Sequence, residues 1–184
     1  MREIEIKLKV NDSDAIEKQL KKQGCIFSKE IKQRDVVYSS KNNSSEFDNA
    51  KEGHIAIRIR YEDDVAKLTL KQQRSYEMDN IEYETEIKKP DEIHQMLSIL
   101  GWKPEVEVKK TRKKGKLGEY EVCLDRVEEL GDYIELEKLI DDDASPDEAR
   151  NELFQALKPF GLSEKDEENK GYDTKIYQLH HSKL

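Results

Sequence analysis

Glu3, Glu5 and Lys7 occupy alternate positions at the start of the chain, with Ile4, Ile6 and Leu8 interleaved. Alternate side chains of an extended strand share a face, so the two acids and the base project together while the apolar residues face a core. The pattern recurs. Arg58 and Arg60 flank Ile59, Lys71 follows Leu68-Thr69-Leu70, Glu82, Glu84 and Glu86 alternate with Tyr83, Thr85 and Ile87, and Glu135 and Glu137 alternate with Ile134 and Leu136. Acids and bases fall in separate clusters. The expected product is a curved sheet with a charged interior and an apolar exterior covered by helices. Such an interior would hold a metal ion through its carboxylates and a polyphosphate through its Lys and Arg side chains.

Other chemistries find little support. The formal net charge of -8, with 40% charged residues, argues against a nucleic-acid binder, which needs concentrated positive charge. It leaves room for a small anionic substrate, because local clustering matters there more than the total. Cys25 and Cys123 are too few for a disulfide framework and read as minor core residues. His54, His94, His180 and His181 lack a zinc-binding spacing, with His180 and His181 read as solvated tail residues, and no GxxxxGK[ST] or GxGxxG loop occurs. No run reaches the length of a membrane span, and the N-terminus enters a strand at once, leaving no room for a signal peptide. A cytoplasmic, membrane-free protein is expected.

The elements that must position these residues follow from periodicity and punctuation. A strand spans residues 2–10. Asn11, Asp12 and Ser13 offer N-cap side chains for a helix through about Lys22, with Ile16 and Leu20 on one face and Gly24 as its stop. A second helix follows Pro90 to Leu100, and a third starts at Ser145-Pro146-Asp147-Glu148, a capping box with proline at the first helical position. Strands are predicted over 33–39, 54–61, 66–73, 81–88, 104–112, 117–125 and 132–139. Segment 40–53 reads as a mobile loop, the Lys109–Lys116 run as a mostly solvated hairpin from which Arg112 alone turns inward, and Glu62-Asp63-Asp64 and Asp141-Asp142-Asp143 as turns. Ile4, Ile16, Leu20 and Gly24 are matched at the same spacing by Ile81, Ile93, Leu97 and Gly101. Either two related halves close one sheet, or two amphipathic units coincide by chance.

Glu3-x-Glu5-x-Lys7 at the N-terminus resembles the opening signature of the CYTH domain, the triphosphate tunnel metalloenzyme fold. The likeness continues through Arg58-x-Arg60, Lys71, Glu82 and Glu84, Arg112, Asp125 and Glu135-x-Glu137, in order and over nearly the whole of residues 1–184, as a single domain. Within the family the chain is most similar to the bacterial and archaeal class IV adenylyl cyclase-like branch. The resemblance implies an α+β fold: a closed or nearly closed antiparallel β-barrel with helices packed outside. It implies a divalent metal, Mg2+ or Mn2+, and hydrolysis of inorganic, thiamine or nucleoside triphosphate, or cyclisation of ATP. By the same resemblance Glu3, Glu5, Asp125, Glu135 and Glu137 match the metal-binding acids. Lys7, Arg58, Arg60, Lys71 and Arg112 match the phosphate-binding and catalytic bases, and Glu82 and Glu84 match acidic tunnel positions. The family tail implies a further basic residue, Lys175, with Lys170 as the competing alignment. The class IV cyclases it resembles often carry a His-Phe pair a few residues before the first glutamate, for which this chain starts too late, so the resemblance implies metal and triphosphate binding more firmly than cyclisation. Relatives dimerise, so a homodimer is a further expectation.

The chemistry would need no side-chain nucleophile. Hard divalent ions prefer carboxylate oxygens, and Glu135 and Glu137 could meet Glu3 and Glu5 across the cavity, with Asp125 completing the cluster. Arginine adds bidentate phosphate geometry that lysine cannot. A metal-dependent triphosphatase is the leading expectation, adenylyl cyclase the alternative, and a non-catalytic polyphosphate- or nucleotide-binding module the third. Tyr38, Tyr61, Tyr76 and Tyr83 are candidate contacts for an attached base or thiamine. A salt-bridged sheet surface is the plain structural alternative, but same-face acids repel one another unless a cation or the basic cluster compensates.

Overall fold

The computed structural model describes residues 2–40, 52–75 and 78–181. Eight antiparallel strands close a barrel: β1 (Arg2–Val10), β2 (Ile31–Ser40), β3 (Ile55–Glu62), β4 (Val65–Gln73), β5 (Asp79–Ile87), β6 (Trp102–Leu117), β7 (Tyr120–Val127) and β8 (Gly131–Ile140). Around the barrel they run β1-β5-β4-β3-β2-β6-β7-β8. Four helices accompany them: α1 (Ser13–Lys22), α2 (Pro90–Ile99), α3 (Pro146–Leu157) and α4 (Tyr172–His181), with 3-10 turns at Lys158–Phe160 and Glu164–Asp166. The architecture is therefore the α+β barrel expected, and none of the described helices is long and apolar enough to cross a membrane.

Most of the core lies outside the barrel, while a smaller cluster of Val37, Val106, Val108, Val127 and Tyr133 packs with Tyr172 and Ile176 of α4 on the inner side. Ile4, Ile6 and Leu8 of β1, Val122 and Leu124 of β7 and Ile134 and Leu136 of β8 pack against Ile16 and Leu20 of α1 and Leu153, Phe154 and Leu157 of α3. Burying such side chains contributes roughly 1.5–3 kcal/mol each, and it fixes strand register, because a one-residue slip would turn every apolar residue into the charged interior. Caps set the helix starts. Asp12 accepts a hydrogen bond from Ala15 N at 2.9 Å, and Ser145 accepts one from Glu148 N at 3.3 Å. Leu97 of α2 covers a second apolar cluster with Val36, Tyr38, Ile57 and Ile59.

Order along the chain and order around the barrel reveal two matching halves. β1-α1-β2-β3-β4 and β5-α2-β6-β7-β8 have the same sequence of elements. β4 pairs with β5 as β8 pairs with β1, and β2 meets β6 while β1 meets β5. Gly24 and Gly101 leave α1 and α2 at φ of 89° and 91°, a left-handed conformation that glycine alone adopts without strain. The β1/β5 seam is short, with Glu3 opposite Asn80 and Ile4 opposite Asp79. Beyond it the chain segment after α3 covers β1: Leu8 bridges Glu167, and Glu168 N donates to Lys7 O at 2.7 Å.

Two expectations are corrected. Lys109–Lys116 is one arm of the β6/β7 hairpin but not a mostly solvated one: it is the second half of the 16-residue β6, paired with β2 as far as Arg112 and with β7 from Lys110, and it turns at Gly118. Strand pairing holds the alternation of Val106 and Val108 through the basic run, so Lys110 turns inward along with Arg112 and both are buried. The amphipathic α4 was not anticipated at all. Residues 41–51 of the expected loop, and Tyr76, lie outside the described residues, while Asp63 and Asp142 sit in turns as predicted.

Candidate active site

The barrel encloses a cavity of about 370 Å³ whose lining comes from every strand but β7's far end, plus the start of α4. Glu3, Glu5 and Lys7 of β1, Arg58 and Arg60 of β3, Lys71 of β4, Glu82 and Glu84 of β5, Arg112 of β6 and Glu135 and Glu137 of β8 all face it. These residues come together because each stands at an inward position of a strand whose alternate residues are held by the outer core.

One side is basic and internally braced. Arg60 donates two 2.7 Å hydrogen bonds to Asp35 of β2, a bidentate buried pair that holds the Asp35 carboxyl well below the usual range despite its burial. Arg58 is looser. It reaches Glu82 at 3.4 Å and Asp35 at 3.8 Å, and its side chain is 22% exposed against 7% for Arg60. Lys71 lies between Glu82, at 2.7 Å, and Glu3, at 3.2 Å, and Lys67 pairs with Glu84 at 3.2 Å. Arg112 grips Asp125 through two bonds and also donates to Glu135, and Lys110 reaches Asp125 at 2.9 Å. Asp125 is thus wholly buried beneath Arg112 and Lys110 and lies outside the cavity wall; the structure brings it to the basic residues rather than to Glu3 and Glu5.

The opposite corner carries unbalanced carboxylates. Glu5 and Glu137 are cross-strand partners, and neither has a cation within 4 Å among the described residues. Burial, then the charge on Glu135, pushes the Glu5 carboxyl well above its ordinary range. Burial and Glu3 push Glu137 up to about 7. Glu135, by contrast, is held low, because Arg112, Lys110 and Lys7 outweigh its burial. Donor atoms of Cys123, Glu135 and Glu137 lie within 4.8 Å of one another, a group able to hold a metal ion. Oxygen donors that repel one another in a buried site fit a divalent cation, which would remove the repulsion.

Lys7 is the buried cation without a carboxylate within 4 Å among the described residues; its ammonium rests over the ring of Tyr172 at 4.4 Å, and Lys110 rests over the same ring at 4.8 Å. Tyr172, Asp35, Lys110 and Cys123 are among the interior residues missed by sequence reading, with Lys67, Lys114 and Glu121 of the cavity wall. Strand parity carried a signal for Asp35, Lys110 and Cys123; nothing in the local sequence announced that Tyr172 would enter the barrel. Neither tail lysine lines the cavity: Lys175 pairs with Glu168, and Lys170 reaches Gln178 at the surface. Of the aromatic candidates, Tyr38 lines the cavity, Tyr61 lies outside it and Tyr83 is exposed. Tyr38 and Tyr61 are held by the two ring nitrogens of His94 on α2, Tyr61 at 2.8 Å.

Proteins of known structure share this fold, and one known protein is similar in sequence over nearly the whole chain. The chain is 32% identical over 174 residues, 94% of its length and 97% of the other's, to a Methanocaldococcus jannaschii protein named as a candidate adenylate cyclase. A Pyrococcus horikoshii protein superposes with a TM-score of 0.77 at 28% identity, covering 97% of this chain and 98% of that one. A Hippeastrum protein, named for adenylyl cyclase and described as having a dominant triphosphatase activity, shares the fold at 17% identity and a TM-score of 0.66, over 97% and 95% of the two chains. The model of the CYTH domain matches residues 1–172, from the first glutamate strand to the tyrosine that enters the barrel, and the chain belongs to the CYTH domain family.

Proposed function

We propose that the cavity binds a triphosphate along its basic side and a divalent cation, Mg2+ or Mn2+, on its acidic side, and that the protein hydrolyses the terminal phosphate. The observation that carries this reading is a local charge imbalance: among the described residues buried Glu5 and half-buried Glu137 have no cation within 4 Å and buried Lys7 has no carboxylate within 4 Å, in one enclosed space. Keeping both is costly unless ligands of opposite charge complete them. Glu3, Glu5, Glu135 and Glu137 would hold the cation, which would supply charge neutralisation for the phosphates. Lys7, Arg58, Lys71 and Arg112 bind and align the phosphates, with Arg60 fixing the wall through Asp35. Arg58 has the looser carboxylate contacts and can turn toward phosphate at little cost. Glu5, which faces the cavity from β1 beside these acids, would accept a proton from the attacking water.

The second reading, cyclisation of ATP, is favoured by the name of the M. jannaschii relative. The Hippeastrum protein carries a cyclase name beside a dominant triphosphatase activity, so that name alone does not select the reaction. Product analysis separates the readings. Purified protein with Mg2+ or Mn2+ is offered tripolyphosphate, thiamine triphosphate and ATP separately. Orthophosphate with the matching diphosphate, abolished by Glu5→Gln, is the expected result. Cyclic AMP with pyrophosphate would replace hydrolysis by cyclisation, and binding without turnover would make the protein a binding module.

A further inference from the structure

The geometry points to Cys123 as a thiolate ligand for the cation of this cavity, giving the protein a site for borderline and soft divalent ions such as Co2+, Zn2+ and Cd2+ beside the hard ones. The inference rests on the proposed reading that the acidic corner holds a cation. Cys123 stands opposite Glu135 in the β7/β8 ladder, and its Sγ, a Glu135 oxygen and a Glu137 oxygen all lie within 4.8 Å of one another. Three donors from two adjacent strands so placed can close on a single ion. Glu5, more than nine-tenths buried and without a partner among the described residues, faces the same corner from β1, where it stands opposite Glu137. Arg112 already donates to one oxygen of Glu135, so the ion would take the other oxygen and share that carboxylate with the guanidinium.

A thioether-free, oxygen-only site holds Mg2+ and Mn2+ by charge; adding a thiolate shifts preference toward Co2+, Zn2+ and Cd2+, which bind sulfur far more strongly. Coordination replaces the S–H bond by a metal–sulfur bond and releases the proton to solvent. Cys25 cannot substitute, because it is packed in the outer core against Gly115 and Phe27.

The test is Co2+ titration of the metal-free full-length protein, followed by its near-ultraviolet thiolate-to-cobalt charge-transfer absorption. The band is expected in the wild type and in Cys25→Ser, and is expected to vanish in Cys123→Ser. Excess Mg2+ should bleach it by competing for Glu135 and Glu137. Calorimetry with Cd2+ should show Cys123→Ser weakening binding by about tenfold or more, with Mg2+ affinity nearly unchanged. A wild type that binds Mg2+ and Co2+ without the band, or a band that persists in Cys123→Ser, overturns the thiolate ligand and leaves the triphosphate reading intact. A wild type that binds neither ion overturns both. The wild-type spectrum and the Cys25→Ser control decide the matter even where Cys123→Ser fails to fold.

Discussion

At the scale of single residues, chemical likeness hides different jobs. Arg58 and Arg60 sit two positions apart on one strand, yet Arg60 is clamped by Asp35 and Arg58 is loosely held and more exposed. Arg60→Ala strands a buried carboxylate and is expected to lower stability by about 3–5 kcal/mol in urea titration. Arg58→Ala should leave stability nearly unchanged but reduce kcat/KM by about 2 kcal/mol of transition-state binding or more, with Arg58→Lys recovering part of it. Glu137 makes a pH prediction. Its folded-state pKa of about 7 lies above the ordinary 4.5, so it contributes stability that is full below about 4.5 and is lost as pH rises through 7. Cation-free wild type should therefore lose on the order of 2 kcal/mol relative to Glu137→Gln between pH 5 and 8, and Mg2+ or Mn2+ should stabilise the wild type more at pH 8 than at pH 6. Equal pH profiles for the two proteins would remove the argument for an uncompensated carboxylate.

Elements act here as holders of residues. β6 runs 16 residues without interruption, and Gly115 lets it pass the chain leaving α1: a Cβ there would meet Cys25 Sγ at 2.8 Å, Phe27 at 3.0 Å and the Ile26 carbonyl at 3.1 Å. Gly115→Ala is expected to cost about 1–3 kcal/mol by overpacking, read from the thermal midpoint. α4 does the converse and closes the barrel rather than supporting it from outside. Tyr172, with its ring under the ammonium groups of Lys7 and Lys110, spaces two like charges that would otherwise meet. Tyr172→Ala should raise KM for the triphosphate while kcat changes less, because both lysines lose the surface that aims them; Tyr172→Phe, which keeps the ring, should restore most of the affinity. Unchanged KM in the alanine variant would reduce Tyr172 to a plug.

The whole molecule balances a largely charged interior, with one apolar cluster under α4, against apolar strand faces covered by helices. Outward-facing Ile, Leu and Val supply cohesion under α1 and α3, while the interior stores mutual repulsion that a ligand relieves. Ligand binding should consequently stabilise the fold strongly. Tripolyphosphate with Mg2+ at a hundred times its dissociation constant should add about 2.7 kcal/mol, and the gain should shrink when either component is omitted. A thermal midpoint that responds to neither would place the ligand elsewhere.

Alternation of charged and apolar residues was enough to determine most of the strands and the charged faces, because period-two patterning is a local property that burial on one face enforces; the two-half order stood there only as one of two alternatives and was decided by the barrel. Ile4, Ile6 and Leu8 could face only a core, and Glu3, Glu5 and Lys7 only the other side. Which carboxylates would be neutralised within the protein was a different matter. Asp125 and Glu137 look alike in sequence, but Asp125 falls opposite Arg112 across the β6/β7 ladder while Glu137 falls opposite Glu5. Cys123, read as core, was placed among carboxylates by strand pairing, and Tyr172 was brought into the tunnel by a helix that follows the last strand by some thirty residues. Partner choice across strands depends on register and closure of the barrel, and those are decided by the outer core rather than by the residues that face the cavity.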